Sequence, residues 1–405
     1  MTPKRDDAPP PADGIGAMLP RGKMTPSARK LRDTYAITPG APLFRREFGF
    51  YCLERWQAGL PAAGDESGEP VEQLPRDADL AAEFDYDPPG NHALRGLGWC
   101  EAAFVPAFED KVLEDRGEHE VVQDFAGRAV LVFKGRRSGF MPEYLDHPVK
   151  DMKTWRELCK WRMDPGAPER WEGFDDRMAA AVRAAGEGKM ISQHLVGGYM
   201  YLRSLIGPAD LLYAFYDMPE VVHDCMATWL ALAEAVIARH QEHVTLDEIF
   251  LAEDICYNHG PLISPEMMRE FLFPYYQQLV GNARARQLDP TRKLYVQVDT
   301  DGYAVPTIDL YREAIGLDAM SPFEVAAGCD VVEVGRRYPD LAIFGGIDKR
   351  VLARGPAAID EHLERILPPM RERGGYIPTC DHGVPEEVSL ADYRHYRKRA
   401  VELGG

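Results

Sequence analysis

The chain has 405 residues, a net charge of -18 and a hydrophobic content of 45%, which suffices for one large α/β barrel or two ordinary domains. The acidic charge argues against a nucleic-acid partner, which needs a basic face. No stretch approaches about 18 consecutive apolar residues, which argues against a membrane span. Seven scattered cysteines and an N-terminus without an apolar leader are typical of a cytoplasmic protein.

The first 40 residues are predicted to form a flexible arm, because Pro9, Pro10 and Pro11 and several glycines interrupt every periodic pattern. Residues 41–405 are predicted to form a single domain. Within that domain, residues 59–87 are polar and rich in proline and glycine. This stretch is predicted to be a long surface excursion.

From about residue 190 onward, short apolar runs alternate with helical patterns. The predicted strands are Met190–Leu195, Glu248–Ala252, Leu294–Val298, Leu317–Met320, Leu341–Phe344 and Tyr376–Ile377. The predicted helices are Pro219–His243, Pro265–Ala285, Val305–Ile315 and Pro356–Arg373. This alternation favours a parallel sheet, and so many units in one chain favour a closed (β/α)8 TIM barrel over an open doubly wound sheet. No Gly-x-Gly-x-x-Gly joins a strand to a helix, so a dinucleotide-binding fold has no support.

Acidic residues follow most of these predicted strands. They are Glu253, Asp254, Asp299, Asp301, Glu324, Asp348 and Asp381. Because the carboxyl ends of parallel barrel strands share one mouth, the acids are predicted to line a cleft there. Taken singly, Asp301 before Gly302 is typical of a turn, and Asp254 and Asp348 are typical of helix N-caps.

Cys380 and His382 stand two positions apart at the end of the last predicted strand. Both side chains are predicted to point to one side of the strand, as Gln297 and Asp299 do on their own strand. Thiolate, imidazole and carboxylate groups suit a zinc site with an open position, or an acid/base pair. The alternative is that Cys380 is a small buried residue.

Several motifs in the second half of the chain occur together in a known order. They are Ser264-Pro265-Glu266 with Pro274, Asp299-x-Asp301-Gly302, Gly345-Gly346-Ile347-Asp348-Lys349, Gly374-Gly375-Tyr376-Ile377 and Asp381-His382-Gly383-Val384-Pro385. The stretch from about 190 to 405 therefore resembles the uroporphyrinogen decarboxylase superfamily, which contains tetrapyrrole decarboxylases and cobalamin-dependent methyltransferases. The resemblance implies the (β/α)8 fold, an enzyme acting on a small molecule, and a homodimer with facing mouths.

The decarboxylases of the superfamily hold substrate carboxylates with two arginines of an Arg-x-Ala-Gly-Arg-Tyr motif. This chain keeps Arg46, Gly49 and Tyr51 but has Phe50 in place of the second arginine. The decarboxylase tyrosine falls near Leu205, whereas His382 matches the C-terminal histidine of that family. A substrate with eight carboxylates needs fixed cations, so the missing arginine argues against it.

The methyltransferases of the superfamily bind zinc through His-x-Cys and a later cysteine. Here Gln297-Val298-Asp299 stands in the His-x-Cys place, while Cys380 matches the later cysteine. The zinc site that activates thiols is therefore not intact. The chain is similar to relatives encoded beside corrinoid proteins, for which a demethylase role is expected.

The leading prediction is a corrinoid-dependent methyltransferase that demethylates a small O- or N-methylated substrate. Cobalamin is expected on a separate corrinoid protein, because the chain lacks an Asp-x-His-x-x-Gly signature. The alternatives are decarboxylation of an anionic tetrapyrrole or related acid, and a non-catalytic binding barrel.

Roles follow from this prediction for individual residues. His382, Asp299 and Glu324 are predicted to be catalytic, and Cys380, His382 and Asp299 to bind the zinc that would activate the leaving group. The predicted substrate-binding residues are Arg46, Phe50, Asp254, Tyr199, Tyr257 and Phe323, of which the last three supply an apolar wall.

Overall fold

The structure is a computed structural model and describes residues 23–67, 71–135 and 142–405. In chain order, its strands are β1 (Asn91–Leu97), β2 (Lys111–Arg116), β3 (His119–Gln123), β4 (Ala129–Phe133), β5 (Glu143–Asp146), β6 (Met190–Val196), β7 (Glu248–Ala252), β8 (Cys256–Tyr257), β9 (Gly260–Pro261), β10 (Tyr295–Asp299), β11 (Ala319–Ser321), β12 (Ala342–Phe344) and β13 (Tyr376–Ile377).

The α-helices of the described residues surround and connect these strands. They are α1 (Pro26–Tyr35), α2 (Leu53–Ala58), α3 (Leu80–Glu83), α4 (Met152–Thr154), α5 (Phe174–Gly186), α6 (Gly198–Ile206), α7 (Pro208–Asp217), α8 (Pro219–Gln241), α9 (Pro265–Phe271), α10 (Phe273–Ala285), α11 (Ile308–Ile315), α12 (Val331–Arg337), α13 (Lys349–Leu352), α14 (Pro356–Arg373) and α15 (Leu390–Gly404).

Seven strands of the described chain form one parallel sheet in the order β1-β6-β7-β10-β11-β12-β13. At the centre of the sheet, Glu248 of β7 lies opposite Ser192 of β6 on one side and Tyr295 of β10 on the other. At the other end of the order, Val384 after β13 donates its backbone N–H to Gly49 O at 2.8 Å. The predicted α/β barrel is confirmed, and all carboxyl ends of these strands meet at one mouth.

Most predicted elements of the second half lie where the pattern placed them, and β7, β13 and α14 have the predicted bounds. The helix predicted over residues 265–285 instead breaks at Leu272 into α9 and α10. Pro274 lies at the start of α10. Proline has no N–H and its ring clashes with the carbonyl four residues earlier, so an uninterrupted helix is excluded there.

The first half contains elements that the sequence pattern did not reveal. Strand β1 joins the barrel sheet, and β2 to β5 form a separate antiparallel sheet. That second sheet buries Val122, Val130 and Val132, with Tyr144 packed against them. It leads from the end of β1 back toward the barrel mouth, where Arg128 and Tyr144 line a cavity.

Residues 26–35 of the segment predicted as a flexible arm form helix α1, so the prediction needs correction there. Helix α1 buries Ala28, Leu31 and Tyr35 against the barrel. Thr25 caps it by accepting from the Ala28 N–H at 3.2 Å. The prolines on which the arm was predicted all precede residue 23, and residues 1–22 lie outside the described part of the chain.

Helix α1 closes the amino-terminal end of the barrel through polar contacts. Asp247, directly before β7, accepts from Arg32 at 3.3 Å and from the Ile191 backbone N–H at 2.8 Å, and it also pairs with Arg292. The Tyr35 hydroxyl donates to Glu248 inside the barrel. A buried carboxylate needs such partners, because an unpaired charge is costly to bury.

Residues 59–87, described except for 68–70, are more than a surface excursion. Leu74 and Phe84 are buried, and Phe84 packs against Trp56 and Tyr393 at ring-centroid distances of 6.0 and 4.8 Å. The buried contacts of Phe84 therefore hold this polar segment against the C-terminal helix α15.

Helix α8 is the one helix of the described residues that is long and apolar enough to cross a membrane. Of its apolar window, 56% is buried inside the protein. It packs between barrel strands and neighbouring helices, as the core helix of a globular domain does. The length and the apolar composition of α8 are therefore explained by its position in the core.

The docking of α1 can be tested by comparing two leucines. Leu31→Ala should lower the free energy of unfolding by about 2–5 kcal/mol, because it leaves a cavity where α1 meets the barrel. Leu288→Ala makes the same change at a side chain that is 56% exposed, and should cost far less. Denaturant unfolding of both variants measures the difference, and equal values would show that α1 is not packed.

Candidate functional site

A cavity of about 590 Å³ opens at the carboxyl ends of the barrel strands. Its lining comes from the loops after β1, β7, β10 and β13 and from α6 and the β2–β5 sheet. The lining residues that carry polar chemistry are Tyr51, Glu101, Arg128, Tyr144, His147, Arg203, Glu253, Asp254, Asp299, Asp301 and His382. Four of the seven predicted acids therefore meet at one mouth, together with His382.

Glu253, the residue directly after β7, is fully buried. Its carboxyl accepts from the Tyr276 hydroxyl at 2.6 Å and from the Tyr199 backbone N–H at 3.2 Å. Burial raises the pKa of Glu253 to about 7. A side chain at Gly197 would collide with this carboxyl group, so glycine is required opposite it.

Asp299 ends β10 and points into the barrel mouth. Ser321 donates to its carboxyl group, and Gln297 donates to the Ser321 hydroxyl at 2.9 Å. Burial raises the pKa of Asp299 to about 7, with smaller contributions from the negative charges of Asp301 and Asp254. The predicted shared orientation of Gln297 and Asp299 agrees with this chain of hydrogen bonds.

Both arginines that line the cavity already have carboxylate partners. Arg203 pairs with Asp254, whose backbone takes a positive φ of 45°. Arg128 donates to Asp124 at 2.7 Å and to Glu101 at 3.1 Å. Neither guanidinium is therefore left to neutralise a substrate carboxylate at the mouth.

His382 is held on several sides at the cavity wall. Its Nε2 lies 3.4 Å from Asp301 Oδ2, and its Nδ1 lies 3.2 Å from the Tyr51 hydroxyl. The ring packs between Phe48 and Tyr51, at centroid distances of 5.3 and 5.6 Å. The hydrogen bond to Asp301 raises the pKa of His382 above its ordinary value. This contact favours the protonated form of the imidazole, which can donate a proton.

The zinc set predicted from Cys380, His382 and Asp299 is not assembled. Cys380 is fully buried and does not line the cavity, and its backbone N–H donates to Glu47 at 2.7 Å. Strand β13 ends at Ile377, so strand alternation does not extend to residues 380–382. Across the described ranges, no three His, Cys, Asp or Glu side chains lie close enough to hold a metal ion. The buried-cysteine alternative fits this thiol, whose pKa burial raises far above its usual value.

Three of the seven acids predicted to line the cleft make structural contacts instead. They are Glu324, Asp348 and Asp381. Glu324 accepts from Lys349 Nζ and from the Gly302 N–H, each at 2.9 Å. Asp381 accepts from the backbone N–H groups of Val325 and Lys349, at 2.8 and 3.0 Å. Asp348 caps α13. The predicted catalytic role of Glu324 therefore has no geometric support.

The aromatic residues predicted to bind substrate, including the three predicted to form the apolar wall, also lie elsewhere. Phe50 packs into the aromatic cluster of Trp56, Phe84 and Tyr393, while Tyr199 and Phe323 are fully buried in the core. Tyr257 is 48% exposed and packs on His259. The aromatic side chains that do line the cavity are Phe48, Tyr51, Trp99 and Tyr144. At residues 48–51 the chain turns so that Phe48 and Tyr51, not Phe50, face the site.

Sequence reasoning missed the contributions of Trp99, Glu101, Arg128 and Arg203. Trp99 and Glu101 follow β1, so recognising that strand would have placed them at the mouth. Arg203 lies on α6, directly after the loop that follows β6. Arg128 carried no local signal, because only the folding of the β2–β5 sheet brings it to the cavity.

A smaller chamber of about 210 Å³ lies inside the barrel. Phe48, Trp99 and Asp299 line both this inner chamber and the outer cavity. Arg46, predicted to bind substrate, faces the inner chamber and lies 5.2 Å from the Phe344 ring centre.

Comparison with known proteins assigns the chain to a family. The family model for uroporphyrinogen decarboxylase (URO-D) matches residues 183–402. The chain belongs to the uroporphyrinogen decarboxylase family, whose members are enzymes. The predicted superfamily is thus confirmed.

Two relatives and one solved structure show how far the similarity extends. Uroporphyrinogen decarboxylases of Alcanivorax borkumensis and Pseudomonas savastanoi pv. phaseolicola are 28% identical over 155 residues and 27% over 181 residues. These matches cover 36% and 44% of this chain and only 39% and 47% of the relatives. A methyltransferase from Methanosarcina mazei shares the fold with a TM-score of 0.54 and 12% identity, over 93% of this chain and 98% of that one.

The Asp301–His382 contact can be tested by titration. Asp301→Asn should lower the pKa of His382, because the hydrogen bond to Asp301 and its negative charge, which raise that pKa, are removed. NMR of the imidazole nitrogen atoms across a pH titration measures the pKa of His382. Asp360→Asn, which removes the carboxylate 2.8 Å from His395, is the control and should leave His382 unchanged. A His382 midpoint that does not move in Asp301→Asn would contradict the geometry.

Asp299 should make stability depend on pH. Its pKa of about 7 in the folded protein lies above the ordinary aspartate value of 3.8, so the folded state keeps the proton to higher pH than the unfolded state does, and stability falls as pH rises between these two values. Asp299→Asn removes this loss, and its melting temperature relative to wild type should be several degrees higher at pH 8 than at pH 4. Asp77→Asn, at an exposed site, should leave the wild-type pH profile in place. If the melting temperatures of Asp299→Asn and wild type differed by the same amount at pH 4 and pH 8, the raised pKa of Asp299 would be contradicted.

Proposed function

We propose that the protein is a methyltransferase that removes a methyl group from a small O- or N-methylated substrate. The observation that carries this proposal is the position of His382, which Asp301 and Tyr51 hold at the wall of a cavity whose arginines are already paired. When the bond from oxygen or nitrogen to the methyl carbon breaks, its electron pair stays on the heteroatom. The His382 proton can then neutralise the leaving heteroatom.

The methyl acceptor would be a reduced corrinoid carried on a partner protein, which supplies a strong nucleophile for the methyl carbon. This fits an open mouth, where Tyr51 and Trp99 are 60% and 43% exposed. The residues of this chain bind and orient the methyl donor, with Asp254 held by Arg203 at one side. No step is assigned to zinc, because the predicted ligands do not converge.

Decarboxylation of a tetrapyrrole remains the alternative, and the decarboxylase relatives favour it. The electrostatics of the mouth argue against it, because Glu101, Asp254 and Asp301 are already paired. Their partners are Arg128, Arg203 and His382, respectively. A substrate with many carboxylates would bring further negative charges into this site without counter-charges, which is costly. The cytoplasm is the expected compartment, in keeping with seven free cysteines. A homodimer and the corrinoid partner stay predictions.

An activity assay separates the two reactions. The purified protein is incubated with chemically reduced Co(I) cobalamin and a panel of methoxylated aromatic compounds and methylamines, and separately with uroporphyrinogen. We expect methylcobalamin from at least one methyl donor, measured by its absorbance, and no carbon dioxide from the porphyrinogen.

His382→Ala should reduce methyl transfer by roughly 10²–10⁴-fold, the usual contribution of a general acid. His395→Ala, at a histidine paired with Asp360 away from the cavity, is the matched control. Carbon dioxide release from uroporphyrinogen without methylcobalamin from any donor would reverse the order of the two candidates.

A further inference from the structure

The wall around His382 is built from two segments that are distant in the sequence, residues 46–51 and residues 380–384. Beyond His382 the two segments pair through their backbones, where the Val384 N–H donates to Gly49 O at 2.8 Å. The histidine lies between this pairing and the end of strand β13. Its position therefore also depends on what holds the chain on the β13 side.

On that side, a carboxyl group joins the two segments. Glu47 Oε1 accepts from the Cys380 backbone N–H at 2.7 Å. The neighbouring peptide groups are used in the opposite direction, because Thr379 O accepts from Ile347 at 3.1 Å and the Asp381 N–H donates to Ile347 at 2.8 Å. Within the described chain, the Cys380 N–H has no backbone acceptor, so Glu47 supplies the one that this amide needs.

Glu47 is itself fixed through both of its carboxyl oxygens. Oε1 also accepts from the Phe48 backbone N–H at 2.9 Å. Oε2 accepts from the Tyr393 hydroxyl of α15 at 2.7 Å, and that hydroxyl contacts the hydroxyl of Tyr86. The carboxyl group cannot turn away from Cys380 without breaking bonds to these other donors.

We propose that Glu47 is a positioning residue for His382. Its bond to Cys380 holds the chain two residues before the histidine, and the pairing at Val384 holds it two residues after. The imidazole is thereby kept 3.4 Å from Asp301 at the cavity wall. The inference rests on the proposed function only for what His382 then does to the leaving heteroatom.

A purely structural role for Glu47 would change stability without changing the environment of His382. Glu47→Met fills a similar volume but removes both acceptors. The pKa of His382, measured by NMR of the imidazole nitrogen atoms, should then fall toward that of Asp301→Asn, because the imidazole is no longer held against the carboxylate. Glu47→Gln keeps an acceptor oxygen for the Cys380 N–H and should restore most of the wild-type pKa.

The kinetics of methyl transfer give a second readout. Glu47→Met should lower kcat by up to roughly 10²-fold, as small displacements of catalytic groups do. The KM for the methyl donor should change little, because Glu47 acts on the proton donor and not on binding.

Asp247→Asn is the matched control, because Asp247 is a buried carboxyl group that accepts a backbone N–H, that of Ile191, at the opposite end of the barrel. It should lower the melting temperature and leave the pKa of His382 unchanged. Tyr393→Phe removes the donor to Glu47 Oε2 and should lower the pKa of His382 by less than Glu47→Met does. This variant keeps the test decisive if Glu47→Met does not fold.

The inference is overturned if neither Glu47→Met nor Tyr393→Phe lowers the pKa of His382. It is also overturned if Glu47→Gln lowers that pKa as much as Glu47→Met, or if Asp247→Asn lowers it equally. Because the NMR measurement needs no methyl donor, the inference and the proposed function fail separately. The expected pKa changes without any methyl transfer by wild type would reject the proposed function alone, whereas unchanged methyl transfer and an unchanged pKa in Glu47→Met would reject the positioning role alone.

Discussion

Parallel pairing of the barrel strands is the constraint on which the rest of this structure depends. Because all seven strands run the same way, every loop that follows a strand reaches the same mouth. Carboxyl groups at these positions are crowded together and lose water, which is why Glu253 and Asp299 both have pKa values near 7. The direction of the strands therefore determines which positions of the chain come together in the site.

Much of the barrel could be predicted from the sequence, because its strands are short apolar runs between well-marked helices. The acids after β7 and β10 reached the mouth for the same reason. Predictions that extended a strand beyond its end were wrong. Alternation carried past Ile377 placed Cys380 beside His382, whereas β13 ends at Ile377 and the Cys380 thiol is buried away from the cavity. Phe50 was assigned to the site because it stands where the decarboxylases have their second arginine, although its ring packs in the aromatic cluster with Tyr393.

The parts that could not be predicted depend on contacts between distant segments. Arg128 reaches the cavity only because an antiparallel sheet folds back over the mouth, and nothing in its local sequence records that path. The pairing of Arg203 with Asp254 joins residues 51 positions apart. That pairing decides whether the mouth offers a free cation. Charge balance in a site is therefore a tertiary property, even when each charged residue is visible in the sequence.

The floor of the inner chamber comes from the segment that precedes the barrel in the chain. Tyr35 meets Glu248 across a sequence separation of 213 residues, and Arg32 meets Asp247 across 215. Contacts of such long range form late in folding, because the intervening loop must close first. During synthesis α1 leaves the ribosome long before β7 exists, so the barrel interior remains open at its lower end until this helix docks. Hydrogen exchange in α1 would therefore report how firmly the barrel is closed at this end, because the amides of the helix exchange faster whenever it detaches.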